Sequence, residues 1–190
     1  VRNDRELTFN MLNHGIDSLQ NKISLINTKI NKRLQLFDID TTLNINHAEL
    51  VNMLDKKKND VLNNLENESA KKIYKIKSKA NNTIISGYIK NVARNKNKIN
   101  RYKVELNKKL SIPIASLVFI LIGAPLGIKL RRGNLSISMA ISLLFFVIYY
   151  ILIVGGEQLA DRNKINPSLS MWLPNIIVFL FGYLSIRKMK

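Results

Sequence analysis

The chain contains no cysteine, and this absence removes several classes of function at once. Disulfide frameworks, cysteine-ligated zinc and thiol catalysis all need cysteine side chains. Proline occurs only 4 times and never before Pro113, which permits long helices in the first half. The sequence has no Gly-x-x-x-x-Gly-Lys-[Ser/Thr] phosphate loop, so we do not expect the chain to bind ATP itself.

Acidic residues are few, and charge is unevenly distributed. The 30 basic and 13 acidic residues give a formal net charge of +17. Residues 1–110 hold 22 of the basic and 11 of the acidic residues, so the remainder is nearly free of charge. Basic charge beside a membrane span usually determines topology or contacts anionic headgroups, so we expect membrane lipids and no nucleic acid as partners.

Three apolar segments near the C-terminus contain no Asp, Glu, Lys or Arg: residues 112–128, 135–154 and 169–186. About 20 residues cross a hydrocarbon core of roughly 30 Å at ~1.5 Å per residue. Soluble helices of this length have a charged face, whereas these segments have none. We therefore predict an all-α membrane protein whose residues 111–190 form three transmembrane helices.

Residues 1–110 are predicted to form a long, extended helical or coiled-coil arm. Apolar residues recur every 3.5 positions at Leu12, Ile16, Leu19, Ile23, Ile26 and Ile30. The Asx- and Thr-rich segment 38–46 predicts a turn. A second helix is expected from His47, with a candidate interruption at Gly87. We expect residues 7–37 to pack against this second stretch as an antiparallel hairpin.

The arm is strongly basic where it approaches the first apolar segment. Between Lys71 and Lys109 there are 13 basic residues and one acidic residue, Glu105. One interpretation is a solvated helix face, and the other is a collar that contacts anionic headgroups or phosphates. Arg101, Lys108 and Lys109 lie nearest the membrane, so they are our candidate lipid-phosphate-binding residues.

Local motifs mark both ends of the first span. Ser111 predicts a helix N-cap, and Pro113 suits the first turn of a helix. Gly123, Pro125 and Gly127 predict either a kink with close helix packing or a functional hinge.

The remaining polar residues do not indicate chemistry. Residues 155–168 are expected to form a polar loop in which Glu157 and Asp161 are a solvated pair rather than an acid–base pair. His14 and His47 are expected at the surface. We therefore predict no enzyme activity, no catalytic residue, no metal site and no cofactor.

Charge alone leaves the orientation open. Nine basic residues lie near the membrane on the side of the arm and six on the other side, so a literal positive-inside count would put the arm in the cytoplasm. That rule weakens for long translocated domains.

An ordered set of motifs carries a family resemblance: residues 108–127 with Gly123-Ala-Pro-Leu-Gly127, Arg131-Arg-Gly-Asn134, Phe146–Tyr150, Gly156–Ala160, Asn166-Pro167 and Met171–Asn175. With these motifs the chain resembles the C-terminal half of lipopolysaccharide-export permeases of the LptF/LptG (YjgP/YjgQ) family. The resemblance covers about 80 residues. The arm before Arg101 carries no family motif.

The resemblance implies that the chain, which begins with Val1, is a fragment containing the last three of six spans. It implies an inner-membrane exporter subunit whose partners are a homologous permease subunit, a cytoplasmic ATPase subunit and lipopolysaccharide. It places the arm and residues 155–168 in the periplasm, and residues 129–134 and the C-terminus in the cytoplasm.

The alternative function is a membrane-anchored coiled-coil scaffold without transport activity.

Overall fold

A computed structural model of the chain describes residues 3–35, 47–130 and 135–187. Over these ranges a short 3₁₀ helix, Asn3–Glu6, precedes five α-helices: α1 (Phe9–Gln35), α2 (His47–Asn64), α3 (Glu68–Leu130), α4 (Leu135–Asp161) and α5 (Pro167–Arg187). The predicted all-α class is confirmed for the described residues. The turn predicted at residues 38–46 and the loop residues 131–134 lie outside these ranges.

Helix α3 runs through two positions where the sequence predicted a boundary. It is continuous across Gly87, and Ser111 and Pro113 lie inside it rather than at its start, so these predictions are wrong. A single glycine costs a helix only about 1 kcal/mol, which neighbouring packing can offset. The real break lies at residues 65–67, where the Asn67 side chain accepts a hydrogen bond from the Ser69 N–H at 2.9 Å and caps α3.

Helix α4 extends further than predicted, because residues 155–161 are helical and leave only 162–166 as the connection to α5. The helix ends in a Schellman motif, in which the Asn163 N–H donates to the Ala160 carbonyl at 2.9 Å and the Lys164 N–H to the carbonyl five residues earlier at 3.0 Å. Asn163 has φ 56°, a left-handed conformation that asparagine tolerates. The expected 155–168 loop is therefore much shorter than the sequence indicated.

The chain divides into two compact units, residues 1–17 with 97–190 and residues 18–96. In the second unit, one apolar core joins three helices: Ile30 and Leu34 from α1, Leu50 and Leu54 from α2, and Ile85 from α3. Ile85 is fully buried. The apolar stripe of α1 thus has partners on two helices, whereas the sequence predicted one, and the antiparallel hairpin stays a prediction.

In the first unit, α3, α4 and α5 share an apolar core that consists of Val104, Ala115, Val118, Ile122, Tyr149, Ile153, Ala160, Met171 and Val178. The rings of Phe119 and Tyr149 meet edge to face, with centroids 5.2 Å apart. Many large apolar side chains of α4 and α5 are nevertheless exposed, including Met139, Leu143, Ile151 and Phe181. A lipid environment accounts for such exposure without any energetic penalty.

Among the described residues, two helical stretches are long and apolar enough to cross a membrane: Glu68–Gly123, which has its apolar part at the C-terminal end, and Met139–Asp161. The apolar stretch of α5, Pro167–Phe181, is shorter and covers about 22 Å at ~1.5 Å per residue. The structure therefore shows two candidate spans where the sequence predicted three.

Candidate functional site at the ends of the membrane helices

Two buried carboxylates and two basic side chains meet where α3 and α4 lie side by side; we call Arg5, Glu105, Lys108 and Glu157 the junction cluster. Glu157 pairs with Lys108 at 2.7 Å (Nζ to Oε2) and with Arg5 at 3.1 Å (Nη2 to Oε1). Arg5 Nε also lies 3.8 Å from Glu105 Oε1. The cluster exists because α4 stays helical beyond its apolar run, which turns Glu157 towards α3.

Burial makes these ion pairs necessary. Glu105 is 3% and Glu157 7% exposed, so both carboxylates have lost most of their contact with water. A buried charge costs several kcal/mol unless a partner of opposite sign and hydrogen bonds compensate it. Arg5, whose side chain is 59% exposed, and Lys108, which is 20% exposed, supply that compensation. The two carboxylates and two cations balance each other in formal charge.

The three predicted phosphate-binding residues differ in their surroundings. Arg101 is exposed on α3. Lys109 is also exposed, and its ammonium donates to the Arg5 carbonyl oxygen at 3.4 Å. Lys108 instead faces Glu157 and is half-buried in the junction cluster. The structure thus leaves Arg101 and Lys109 accessible to a ligand and gives Lys108 an intramolecular partner.

Polar contacts join α3 to α5 near the start of the predicted membrane module, residues 111–190. The Ser111 hydroxyl donates to the Met171 carbonyl at 2.6 Å, and the Asn175 side-chain NH₂ donates to the Ser111 carbonyl and hydroxyl oxygens at 3.0 and 2.9 Å. Both side chains are buried. Trp172 Nε1 donates to Asn107 Oδ1 at 3.3 Å on the same pair of helices. Such hydrogen bonds stabilise helix association in a bilayer, where apolar burial gives little preference.

Gly156 permits the closest approach of α4 and α5. A Cβ at this position would lie 2.7 Å from the Ser170 carbonyl oxygen and 3.0 Å from its hydroxyl. The Ser170 hydroxyl donates to the Gly156 carbonyl, so a hydrogen bond joins the two helices at this point. At Gly155, the neighbouring residue, a Cβ would meet nothing within 4 Å.

The short connection between α4 and α5 lies against α3. Asn163 accepts a hydrogen bond from Asn100 and donates to Asn97 Oδ1 at 2.6 Å. A polar pocket of about 620 Å³ forms beside these amides, with Lys103 and Lys164 in its lining. These contacts place the end of α4 next to the part of α3 that precedes its apolar segment.

The candidate hinge residues lie within the helical part of α3 that ends at Leu130. Among the described atoms, an added Cβ at Gly123 or Gly127 would meet nothing within 4 Å. No described helix of this chain therefore packs closely on either glycine, and the side chain of Pro125 lies outside the described residues. The hinge and packing roles stay predictions.

Sequence reasoning missed Arg5 and assigned Glu157 to a solvated loop. No motif marks Arg5, whose partners lie about 100 or more residues later in the chain. The sequence did contain a local signal for Glu157. Glu157 lies four residues before Asp161, which is the spacing of one face of a helix that continues from the preceding span. Among the described residues, no group of three or more His, Asp or Glu side chains is placed to hold a metal ion.

Comparison with known proteins identifies the family. Residues 18–188 match the family described as lipopolysaccharide export system permease LptF/LptG. The match includes most of the arm, in which we found no family motif, as well as the membrane module. No curated protein and no solved structure matches the chain. Because the match covers most of its length, the chain belongs to the LptF/LptG family of lipopolysaccharide export permeases.

Proposed function

We propose that this chain is a non-catalytic permease subunit that moves lipopolysaccharide out of the inner membrane, with ATP hydrolysed by a separate subunit. The observation that carries the proposal is the family match over residues 18–188, which includes both the arm and the membrane helices. Its partners are a homologous permease subunit, which would complete the cavity for the lipid, and a cytoplasmic ATPase. We also propose that further spans of the complete permease precede residue 1.

We propose three transmembrane helices in the described part: the apolar end of α3, then α4, then α5. The hydrogen bonds that join Asn163 to Asn97 and Asn100 support this topology, because they bring the α4–α5 connection back beside the segment of α3 that precedes the membrane. Helix α5 has 21 residues, or about 32 Å at ~1.5 Å per residue, so its whole length suffices. In this proposal the arm is periplasmic and the C-terminus is cytoplasmic.

Arg101 and Lys109 are the proposed contacts for lipid phosphates. Both are exposed on the turns of α3 that precede the first span. Lys108 belongs to the same proposal, but its ammonium must leave or share Glu157 before it can bind a phosphate. A cation near an anionic surface contributes about 1 kcal/mol, so Arg101→Gln with Lys109→Gln should weaken lipid binding about tenfold or more.

The function can be tested by purifying the full-length protein from its native membrane. A permease subunit should co-purify with an ATPase, a second permease of the family and glycolipid. Depletion of the protein in cells should then leave lipopolysaccharide in the inner membrane. If the chain instead purifies without an ATPase and its depletion leaves lipopolysaccharide export normal, the scaffold function replaces the permease function.

A further inference from the structure

An open cleft of about 650 Å³ lies between α2 and α3 in the unit formed by residues 18–96. One wall is α3, whose lining residues Lys75, Lys79, Ser86 and Lys90 recur at nearly whole helical turns and so share one face. From Lys75 to Lys90 this face extends about 22 Å along the helix. The cleft is therefore elongated and suits a chain-like ligand.

The lining of the cleft is strongly cationic. It includes four lysines, residues 58, 75, 79 and 90, and one carboxylate, Asp55. Asp55 Oδ1 lies 3.4 Å from Lys58 Nζ and accepts a hydrogen bond from Asn82 Nδ2, also at 3.4 Å. Among the described residues, no carboxylate pairs with the other three lysines. Three positive charges in the cleft thus have no negative partner within this part of the chain.

The floor of the cleft has room for a ligand at Gly87. This glycine lines the cleft, and a Cβ added to it would meet nothing within 4 Å. Larger side chains at this position would project into open space instead of displacing the helix backbone. Gly87 therefore offers a way to change the charge of the cleft without disturbing its walls.

We propose that this cleft binds a phosphorylated saccharide chain, the polar part of an anionic glycolipid. The lysines supply cations for phosphate or carboxylate groups, and Asn82, Thr83 and Ser86 supply hydrogen-bonding groups for sugar hydroxyls. The choice of a glycolipid as the source rests on the proposed function. The choice of an anionic, hydroxyl-rich chain rests on the lining alone.

Two other polyanions fit the cleft less well. A flat membrane surface cannot enter a concave space between two helices, so it would meet only the rim. Single-stranded nucleic acid is usually held by aromatic side chains that stack on its bases, and no aromatic residue lines this cleft. A flexible saccharide chain needs neither a flat surface nor stacking partners.

The test measures binding of a soluble probe to the full-length protein in detergent. The probe is the phosphorylated core oligosaccharide released by deacylation from rough lipopolysaccharide, and its comparison is the same material after phosphatase treatment. The cleft variant carries Lys75→Gln, Lys79→Gln and Lys90→Gln. The matched control carries Lys56→Gln, Lys77→Gln and Lys96→Gln, which remove the same charge from exposed residues of the same unit that do not line the cleft.

The wild-type protein should bind the phosphorylated probe more tightly than the dephosphorylated one, and salt should weaken binding. The cleft variant should lose about tenfold or more in affinity, and the control less than about threefold. Gly87→Glu should weaken binding more than Gly87→Gln, because the two side chains have the same size and differ only in charge. These two variants and circular dichroism separate loss of binding from loss of folding.

Three results would overturn the proposal. Equal losses in the cleft and control variants would show that diffuse surface charge attracts the probe. Equal binding of the dephosphorylated probe would remove the role of phosphate. If the cleft variant keeps its affinity for the probe but loses its binding to phosphatidylglycerol vesicles or to single-stranded DNA, the cleft serves those partners instead. Because the probe lacks acyl chains and no transport is measured, failure of the permease function would not itself abolish this binding.

Discussion

Replacing Gly156 by alanine should weaken the packing of α4 on α5, whereas replacing Gly155 should not. A Cβ at Gly156 would lie 2.7 Å from the Ser170 carbonyl oxygen, while carbon–oxygen contacts normally begin near ~3.3 Å. The helices would have to separate by roughly 0.6 Å, because a carbonyl oxygen inside a helix cannot move alone. That movement would also strain the hydrogen bond from the Ser170 hydroxyl to Gly156.

The size of the effect follows from three terms. Overpacking a tight contact costs about 1–3 kcal/mol, and loss of an interhelical hydrogen bond about 0.6 kcal/mol. Alanine stabilises a helix by about 1 kcal/mol relative to glycine, and this gain applies at both positions. Gly156→Ala should therefore lower the free energy of unfolding by about 0.6–2.6 kcal/mol, and Gly155→Ala should raise it by up to about 1 kcal/mol.

The assay is unfolding in mixed micelles with increasing mole fraction of sodium dodecyl sulfate. The chain has a single tryptophan, Trp172, which lies on α5 and bonds to Asn107 on α3, so its fluorescence reports directly on α5 packing. The Gly155→Ala variant is the control for helix propensity. If the two variants unfold at the same detergent fraction, α4 and α5 do not meet at Gly156 as described.

Three further predictions concern the junction cluster, the hydrogen bonds between α3 and α5, and the proposed span in α4. Glu157→Gln should destabilise the protein by about 1–3 kcal/mol, because Lys108 loses its charged partner and Arg5 keeps only Glu105, and a variant as stable as wild type in the same detergent titration would argue against the junction cluster. A double-mutant cycle with Ser111→Ala and Asn175→Ala should give a coupling of about 0.6–1.7 kcal/mol, and additive effects would show that the two side chains do not interact. In the cysteine-free chain, a cysteine at Ser142 should resist a membrane-impermeant maleimide and one at Arg162 should react, whereas free labelling at Ser142 would place it outside the membrane.

The helical class could be predicted, and so could the helices that cover the apolar runs, because both depend on local composition. A charge-free run of about 20 residues has few structural alternatives, and α3, α4 and α5 cover all three predicted runs. The apolar stripe of α1 was equally visible, and Leu12, Ile16, Leu19 and Ile30 are buried. Periodicity shows which face of a helix is covered, but it does not say how many helices cover it. The burial of Ile85 against α1 and α2 therefore could not be predicted from the sequence.

Helix boundaries were predicted less well, because the same residues have alternative partners. Ser111 has the side chain of a good N-cap, yet its hydroxyl bonds to the Met171 carbonyl on another helix. Asn67 has the same capacity and does cap α3, by bonding to the Ser69 N–H. Composition does not distinguish the two cases. The difference is that α5 brings an acceptor to Ser111, and only the tertiary structure shows this.

The junction cluster also changes what the basic residues before the first span can do. Counting charges treats Lys108 as one of seven cations between Arg94 and Lys109. The structure pairs its ammonium with Glu157 at 2.7 Å, so its charge is largely compensated within the chain. A positive-inside count therefore overstates the uncompensated positive charge beside α3. It also leaves out Glu157, the acidic residue of α4 that pairs with Lys108. Arg101 and Lys109 remain exposed, so the proposed lipid binding should depend on them, whereas removal of Glu157 should affect stability.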